Sequence, residues 1–425
     1  MTALRSSSNG IYRKTILRNG VRIVTEKIPA VRSVALGVWI DVGSRYERPE
    51  ENGFSHFIEH MLFKGTRKRS ARQLAEALES LGGSLNGFTA REQTCYYARV
   101  LDEHLPMAVD VLADLSCNST ITSEHVSREK KVVLEEIKEA LDNPSDKIHD
   151  VFASTFWGKH PLGQTIMGPP ENISGLTRAQ VVRFMKEHYR SRSVVIAAAG
   201  SVDHDQVVRM VKSKFHFVEG VSEIAAPASE RTEKVINMER IRSKQTHLCI
   251  GFSAPEYKSP NKMQVLALSS YLGGGMSSVL VQKIREDLGL AYAVYSFNDF
   301  YRDAGVFGFY VGTDVTHLAQ STELVLAELR RMKKHKLSPS QLKTLKSQMK
   351  GHLILGQESP NGRMNRLARQ EIMAGRFQTV GEMIKEIDAV TATQMADMAN
   401  QIFDESTIAV AALGPVAKKE LSSVI

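Results

Sequence analysis

The feature that most constrains this fold is an internal repeat: the second half of the 425-residue chain reads as a faded copy of the first. "QTHLCIGFSA" answers "SVALGVWIDV", and "AGVFGFYVGTDVTHLAQSTELVLAELRRM" answers "TCYYARVLDEHLPMAVDVLADLSCN". "QLKTLKSQMKGHLILGQESPNGR" in turn answers "HVSREKKVVLEEIKEALDNPSDK". A duplicated order of strands and helices predicts two domains of one fold. The length asks for the same, since single cores stop growing beyond about 250–300 residues. The expected class is α+β: two tandem homologous domains, each a mostly antiparallel sheet packed with helices. Residues 1–217 form the first, residues 234–425 the second, and the aperiodic Ser/Ala/Glu-rich stretch 218–233 the linker.

Within the first copy, Asn19-Gly20 between two alternating runs predicts a hairpin, and "SVALGVWIDVGS" a buried strand. Ser70 opens a helix that stops at Gly82-Gly83, and "SLNGFTAREQTCYYARV" reads as a strand pair with a kink near Gly87. A long helix opens at Ser123 and ends at Asn143-Pro144. With its apolar face defined by Val132, Val133 and Ala140, Glu129 and Glu136 project onto that same face. Carboxylates aimed at a core need compensation, either from buried salt bridges or from a bound cation.

The stretch Gly53 to Phe63, "GFSHFIEHMLF", carries the chemistry. As a helix it sets His56, Glu59, His60 and Phe63 at i, i+3, i+4 and i+7 on one face. Two imidazoles one turn apart can close on a single metal ion, with the carboxylate between them in reach of water at that ion. The order His-x-x-Glu-His inverts the commoner zinc helix. Alone, the pattern also fits two satisfied histidines on a half-buried core helix, and a third ligand separates the readings. In the second copy the matching helix, "NKMQVLALSSYLGGG", has no His or Glu. Aligning Pro360 with Pro144 sets His352 opposite Glu136 and Leu345 opposite Glu129. One metal site per chain is therefore expected, in the first copy.

Composition narrows the rest. No run of about 18 apolar residues occurs, so no membrane span is expected. Cys95, Cys117 and Cys249 are scattered without zinc or redox spacing, which points to a reducing compartment. The first ten residues lack an apolar signal core and read as a plain tail. The formal charge of +8 is dispersed, and its densest clusters, Lys64 to Arg72 and Arg331 to Lys336, read as solvated faces rather than a nucleic-acid patch. "LGGGMSS" from Leu272 lacks the Gly-Lys-Ser/Thr of a phosphate loop, which excludes a nucleotide site. His104, His125, His149 and His160 read as surface or packing residues.

His56, Glu59 and His60, followed at a distance by Glu136, resemble the inverted-zinc-motif peptidases of the pitrilysin/insulinase family. "GFSHFIEHMLFKGT", "LNGFTAREQTCYYARV", "KVVLEEIKEALDNPSDKIHD", "HPLGQTIMG" and "IREDLGLAYAVYS" look like successive blocks of that family, in a half-length architecture. The subgroup it is most similar to is that of bacterial processing proteases and the β subunit of mitochondrial processing peptidase. The resemblance implies a zinc endopeptidase acting on peptides or unfolded segments, with one Zn2+ per chain on His56, His60 and Glu136. It makes Glu59 the general base and Glu129 a further catalytic-site carboxylate that steers His60 or the water. It also implies β-augmentation of substrate along an edge strand, Leu85 to Ala90, through Asn86, Gly87, Phe88 and Thr89.

Arg285 and Tyr292 of "REDLGLAY" match a family pair that reaches the active site from the second domain or a partner. On the residues alone they are a surface charge and a strand residue, with Gly289 a helix C-cap. The resemblance implies a homodimer, or a heterodimer with a related half-length chain, in the bacterial cytoplasm or else the mitochondrial matrix. The rival reading is a non-catalytic partner or structural subunit of a heterodimeric processing peptidase. Such subunits lack an intact ligand set, whereas this chain keeps all four residues.

Overall fold

The structure is a computed structural model, and it describes residues 3–7, 10–222, 228, 233–417, 421 and 424. Packing divides the chain into two compact units. The first comprises Met1–Ile137, Gln164–Ala226 and Ile354–Gly381; the second comprises Lys138–Gly163, Pro227–Leu353 and Glu382–Ile425. By packing, then, residues 138–163 fall with the second unit and 354–381 with the first. Of the expected linker, only 218–222, 228 and 233 are described, and the remainder lies outside the described residues.

The first unit is built on a seven-stranded sheet of β1 (Ala3–Ser7), β2 (Gly10–Ile16), β3 (Arg22–Lys27), β4 (Ser33–Ile40), β5 (Ser84–Thr89), β6 (Thr94–Leu101) and β7 (Val194–Gly200). The order is β1-β2-β3-β7-β4-β6-β5, with β3 and β7 parallel and every other pair antiparallel. The near-continuous apolar runs of β4 and β7 make them central, because both of their faces are covered. Val34, Leu36, Val38 and Ile40 face the main core, which α1 (Phe54–Leu62), α2 (Ala71–Glu79), α3 (Leu105–Asn118) and α4 (Ser123–Asp142) enclose. Gly37 points the other way, onto the helix Pro360–Ala374 of the second repeat. A Cβ on Gly37 would stand 2.4 Å from the Met364 sulfur, so a side chain there would force Met364 to move. Fully buried Glu26 receives Arg363 at 2.7 Å and Arg366 at 2.6 Å and fixes it there.

The second unit holds β8 (Val235–Arg240), β9 (Thr246–Ala254), β10 (Ala291–Phe300), β11 (Gly305–Thr313) and β12 (Ala409–Gly414) in the order β10-β11-β9-β12-β8. That is the order β5-β6-β4-β7-β3 of the first sheet, with its parallel pair in the same place. The repeat read from the sequence is a repeat of topology. Here α5 (Pro144–Trp157) packs on the sheet, with Phe152 where a Gly251 Cβ would stand 2.2 Å away. His149 joins it among Tyr295, Phe297 and Tyr310, a packing role.

Two local expectations change. On α4, Val132 is exposed, and the buried stripe is Val126, Glu129, Val133 and Ile137. Glu136 keeps its place on that stripe because it lies three residues after Val133. α4 opens at Ser123 as expected, and the Thr122 side chain just before it receives the His125 amide at 3.1 Å. Gly87 makes no kink: it pairs in register with Tyr96 in an unbroken hairpin.

Candidate metal centre

α1 is nine residues long and buries Phe54, Phe57, Ile58, Met61 and Leu62, leaving the His56–Glu59–His60 stripe half-buried. The chain enters it through Gly53 at φ +99°, a left-handed turn that a side chain would strain. Its N-terminus has no cap of its own. Instead fully buried Glu47 accepts from the amides of Gly53 (2.8 Å) and Ser55 (2.6 Å) and from Asn52 Nδ2 (3.0 Å). The carboxylate thus stands where the helix dipole favours a negative charge.

α4 brings Glu129 and Glu136 to this stripe. His60 Nε2 lies 3.4 Å from Glu136 Oε2, and His56 Nε2 lies 4.0 Å from the same oxygen. Tetrahedral zinc with bonds near 2.0–2.1 Å spaces its ligand atoms about 3.3 Å apart. The His60 gap matches that figure and the His56 gap exceeds it, with one ligand atom from each of the three residues lying within 4.8 Å of the others. Among the described residues this is the one trio of His, Cys, Asp or Glu side chains that converges so. The donor set, two imidazoles and one carboxylate, is that of a catalytic site with a coordination position left over.

Glu129 is buried and accepts from His60 Nδ1 at 2.9 Å, which leaves Nε2 as the ring nitrogen facing Glu136. The same Glu129 oxygen receives Lys64 Nζ at 2.8 Å. Burial, with the charge of His60, lowers the pKa of His56 to about 4, so its imidazole is neutral and ready to ligate. Burial also acts to lower that of His60, but the Glu129 hydrogen bond and the charges of Glu136, Glu129 and Glu59 together raise it. Burial raises the pKa of Glu59, opposed by its hydrogen bond to Thr89 and the charge of His60.

β5 is the edge strand of its sheet, beside α1. Thr89 Oγ1 donates to Glu59 Oε2 at 2.6 Å. Gly87 faces the same helix, and a Cβ there would press at 3.2 Å on Glu59 and Phe63. Phe88 turns to the opposite face and packs edge-on against Trp39, while Asn86 is exposed. Arg285 and Tyr292 belong to the second unit. Arg285 lies on a π-helical turn, Val281–Asp287, beside Glu286 and Met276, and Tyr292 is 75% exposed on β10.

Glu47 and Lys64 escape the sequence reading. The signal for Lys64 was its position four residues after His60, on the same stripe. It belongs to a cluster read as a solvated face, yet Lys64 pairs with Glu129, and Arg69 with Asp110 and Asp114. Nothing local marks Glu47, whose partners are two backbone amides and the Asn52 side chain.

Residues 22–170 match the insulinase family (peptidase family M16), and residues 175–349 match the peptidase M16 inactive domain. The latter stretch includes the helix Lys262–Gly273, which has neither His nor Glu. The chain is 41% identical to the uncharacterized zinc protease YmxG of Bacillus subtilis, over 93% of this chain and 96% of that one. Its fold is similar to that of a protease from Helicobacter pylori (TM-score 0.90, 21% identity, 95% of this chain and 99% of that chain). It is also similar to a chain of complex III2 from Candida albicans (TM-score 0.83, 19% identity, 96% of each chain). Matched along nearly its whole length by that Bacillus relative and along both halves by the family's domains, the chain belongs to the insulinase family, peptidase family M16.

Proposed function

We propose that this chain is a zinc-dependent endopeptidase that hydrolyses peptides or unfolded polypeptide segments. The observation that carries the reading is the convergence of His56 Nε2, His60 Nε2 and Glu136 Oε2, with Glu59 on the same helical stripe. Zinc bound there supplies Lewis acidity: it lowers the pKa of water and polarises the scissile carbonyl. Glu59 takes the proton of the attacking water and returns it to the leaving amine. Its raised pKa brings the carboxylate nearer the operating pH, as a general base requires. Thr89 holds one Glu59 oxygen and leaves the other for the proton. The substrate adds to the free edge of β5, so that Asn86, Gly87, Phe88 and Thr89 run beside it. Arg285 and Tyr292 bind substrate as well, from the second domain or from a partner chain.

The chain acts as a homodimer or with a related half-length chain. Its compartment is the bacterial cytoplasm, a reading that its three free cysteines and its bacterial relatives support. Among the described residues no helix is long and apolar enough to cross a membrane.

The test is zinc analysis beside cleavage of a quenched peptide. One zinc per chain is expected, with cleavage lost to a chelator and restored by zinc. The apparent zinc affinity should fall about tenfold per pH unit where protons compete for one imidazole. The window is set by His60, whose pKa stands above its ordinary 6.5, so the loss begins above that pH as the solution is acidified. Cleavage that survives complete zinc removal overturns the reading.

Thr89→Val tests the link from edge strand to base. It keeps the shape and removes the donor, so kcat should fall about 10- to 100-fold, the range of a hydrogen bond to a charged group. KM and zinc content should stay near wild type, and Thr89→Ser should recover most of the loss. A rise in KM with unchanged kcat would assign Thr89 to substrate grip instead.

A further inference from the structure

We infer that Lys64 is a positioning residue of the metal centre, acting through Glu129 to hold the two ligand-bearing helices in register. The inference rests on the metal reading above and adds a residue to it. The three ligands come from two elements: His56 and His60 from α1, Glu136 from α4. Their convergence depends on what ties those elements together near the site. Glu129 Oε1 is that point, because it takes both His60 Nδ1 at 2.9 Å and Lys64 Nζ at 2.8 Å.

Charge explains why both partners are needed. The Glu129 side chain is 4% exposed, and a buried carboxylate is costly without a cation beside it. His60 offers a cation only when doubly protonated, and an imidazole that ligates a metal is neutral. Lys64 is the fixed cation at that oxygen. It sits just past the C-terminal end of α1, where the helix dipole favours a positive charge, and its amide closes back on the Met61 carbonyl at 3.1 Å. Its side chain is 34% exposed, so the long stem leaves solvent to place the ammonium against Glu129.

With His60 Nε2 engaged as a ligand, the Glu129 carboxylate would still have its counter-charge in Lys64 and would keep its hydrogen bond to Nδ1. Without Lys64 that carboxylate gains by turning toward water, and His60 loses the contact that orients its ring. Preorganisation of this kind is worth about 10- to 100-fold in metal affinity at comparable sites.

The experiment measures zinc affinity by chelator competition, and the visible absorption of the Co2+-substituted chain, for wild type, K64M, E129Q and K64M/E129Q. The melting temperature of each chelator-treated chain is recorded beside them. K64M should weaken zinc binding about tenfold or more and broaden the Co2+ bands, K64R should restore both, and K64M should add nothing in the E129Q background. A lower melting temperature with unchanged zinc affinity makes Lys64 a purely structural contact and overturns the inference. Equal losses in the two backgrounds also overturn it, since Lys64 then acts other than through Glu129. If K64M does not fold, K64R against wild type decides: the full tenfold loss in K64R, with its charge retained, contradicts the inference, and near-parent affinity upholds it. A wild-type chain that takes up no zinc overturns the metal reading itself, whereas wild-type uptake matched by K64M removes only the Lys64 assignment.

Discussion

Glu59→Gln is expected to lower peptide hydrolysis by about 10²- to 10⁴-fold, the usual worth of a positioned acid–base group, while zinc content stays that of the parent. The amide has the shape of the carboxylate and can still accept from Thr89 Oγ1, so the side chain keeps its place. It has no lone-pair site basic enough to take a proton from water. Glu59 is not one of the three converging ligands, so the ion is retained. Nor should the fold suffer: Glu59 is half-buried, and exchanging a desolvated carboxyl for a neutral amide removes a charge that burial disfavours. The measurement is kcat/KM on a quenched peptide beside zinc analysis of the same sample. A non-catalytic subunit would show no difference between parent and variant. Full turnover in the variant, with zinc bound, would remove Glu59 from the role of base.

That comparison matters because the fold does not decide the chemistry. A chain of complex III2 from Candida albicans and a protease from Helicobacter pylori are similar to this chain to nearly the same degree. Fold likeness at that identity says how the strands run and nothing about which side chains meet. What separates the readings is local, the stripe on α1 and its counterpart on α4.

Much of that stripe was legible in the sequence because helical spacing is a short-range signal. His56, Glu59 and His60 declare their shared face within five residues. Glu136 reaches the histidines although Val132, an expected member of the same apolar face, is exposed. The spacing from Glu129 through Val133 to Glu136 fixes the face whichever neighbour is used to define it. The likeness of the two sheets was legible through the repeat, whereas their strand order and the parallel pair in each were not, because pairing across a sheet leaves no short-range signal. What periodicity cannot supply is the partner of a face. The helices α5 and Pro360–Ala374 each show an apolar side, yet each packs in the unit of the other repeat. The decisive contacts are remote: Glu26 meets Arg363 across 337 residues, and neither residue signals the other locally. Lys64 was hidden for the opposite reason. It stands in a run of like charges, where a single buried pairing cannot be told from its solvated neighbours.

Glu136→Ala is expected to cost the chain its zinc and almost nothing else. Removing one of three protein ligands should weaken binding on the order of 10²- to 10³-fold, a fraction of the roughly 10–16 kcal/mol that complete zinc sites supply. The chelator-treated variant should melt within a degree or two of the parent, because the Glu136 side chain is 40% exposed and surface changes usually stay within about 0.5 kcal/mol. Glu129→Ala, two turns earlier on α4, should behave differently. It strips a buried carboxylate from Lys64 and His60, at a cost of about 1–3 kcal/mol once the partial exposure of Lys64 is allowed for, and so lowers the melting temperature as well as the zinc affinity. The two glutamates therefore separate metal ligation from a buried salt bridge within one helix. If Glu136 were also a salt-bridge residue, both alanine variants would destabilise the metal-free chain. If Glu136→Ala binds zinc as the parent does, the third ligand is not Glu136, and the three-ligand centre on which the hydrolytic role depends has to be abandoned.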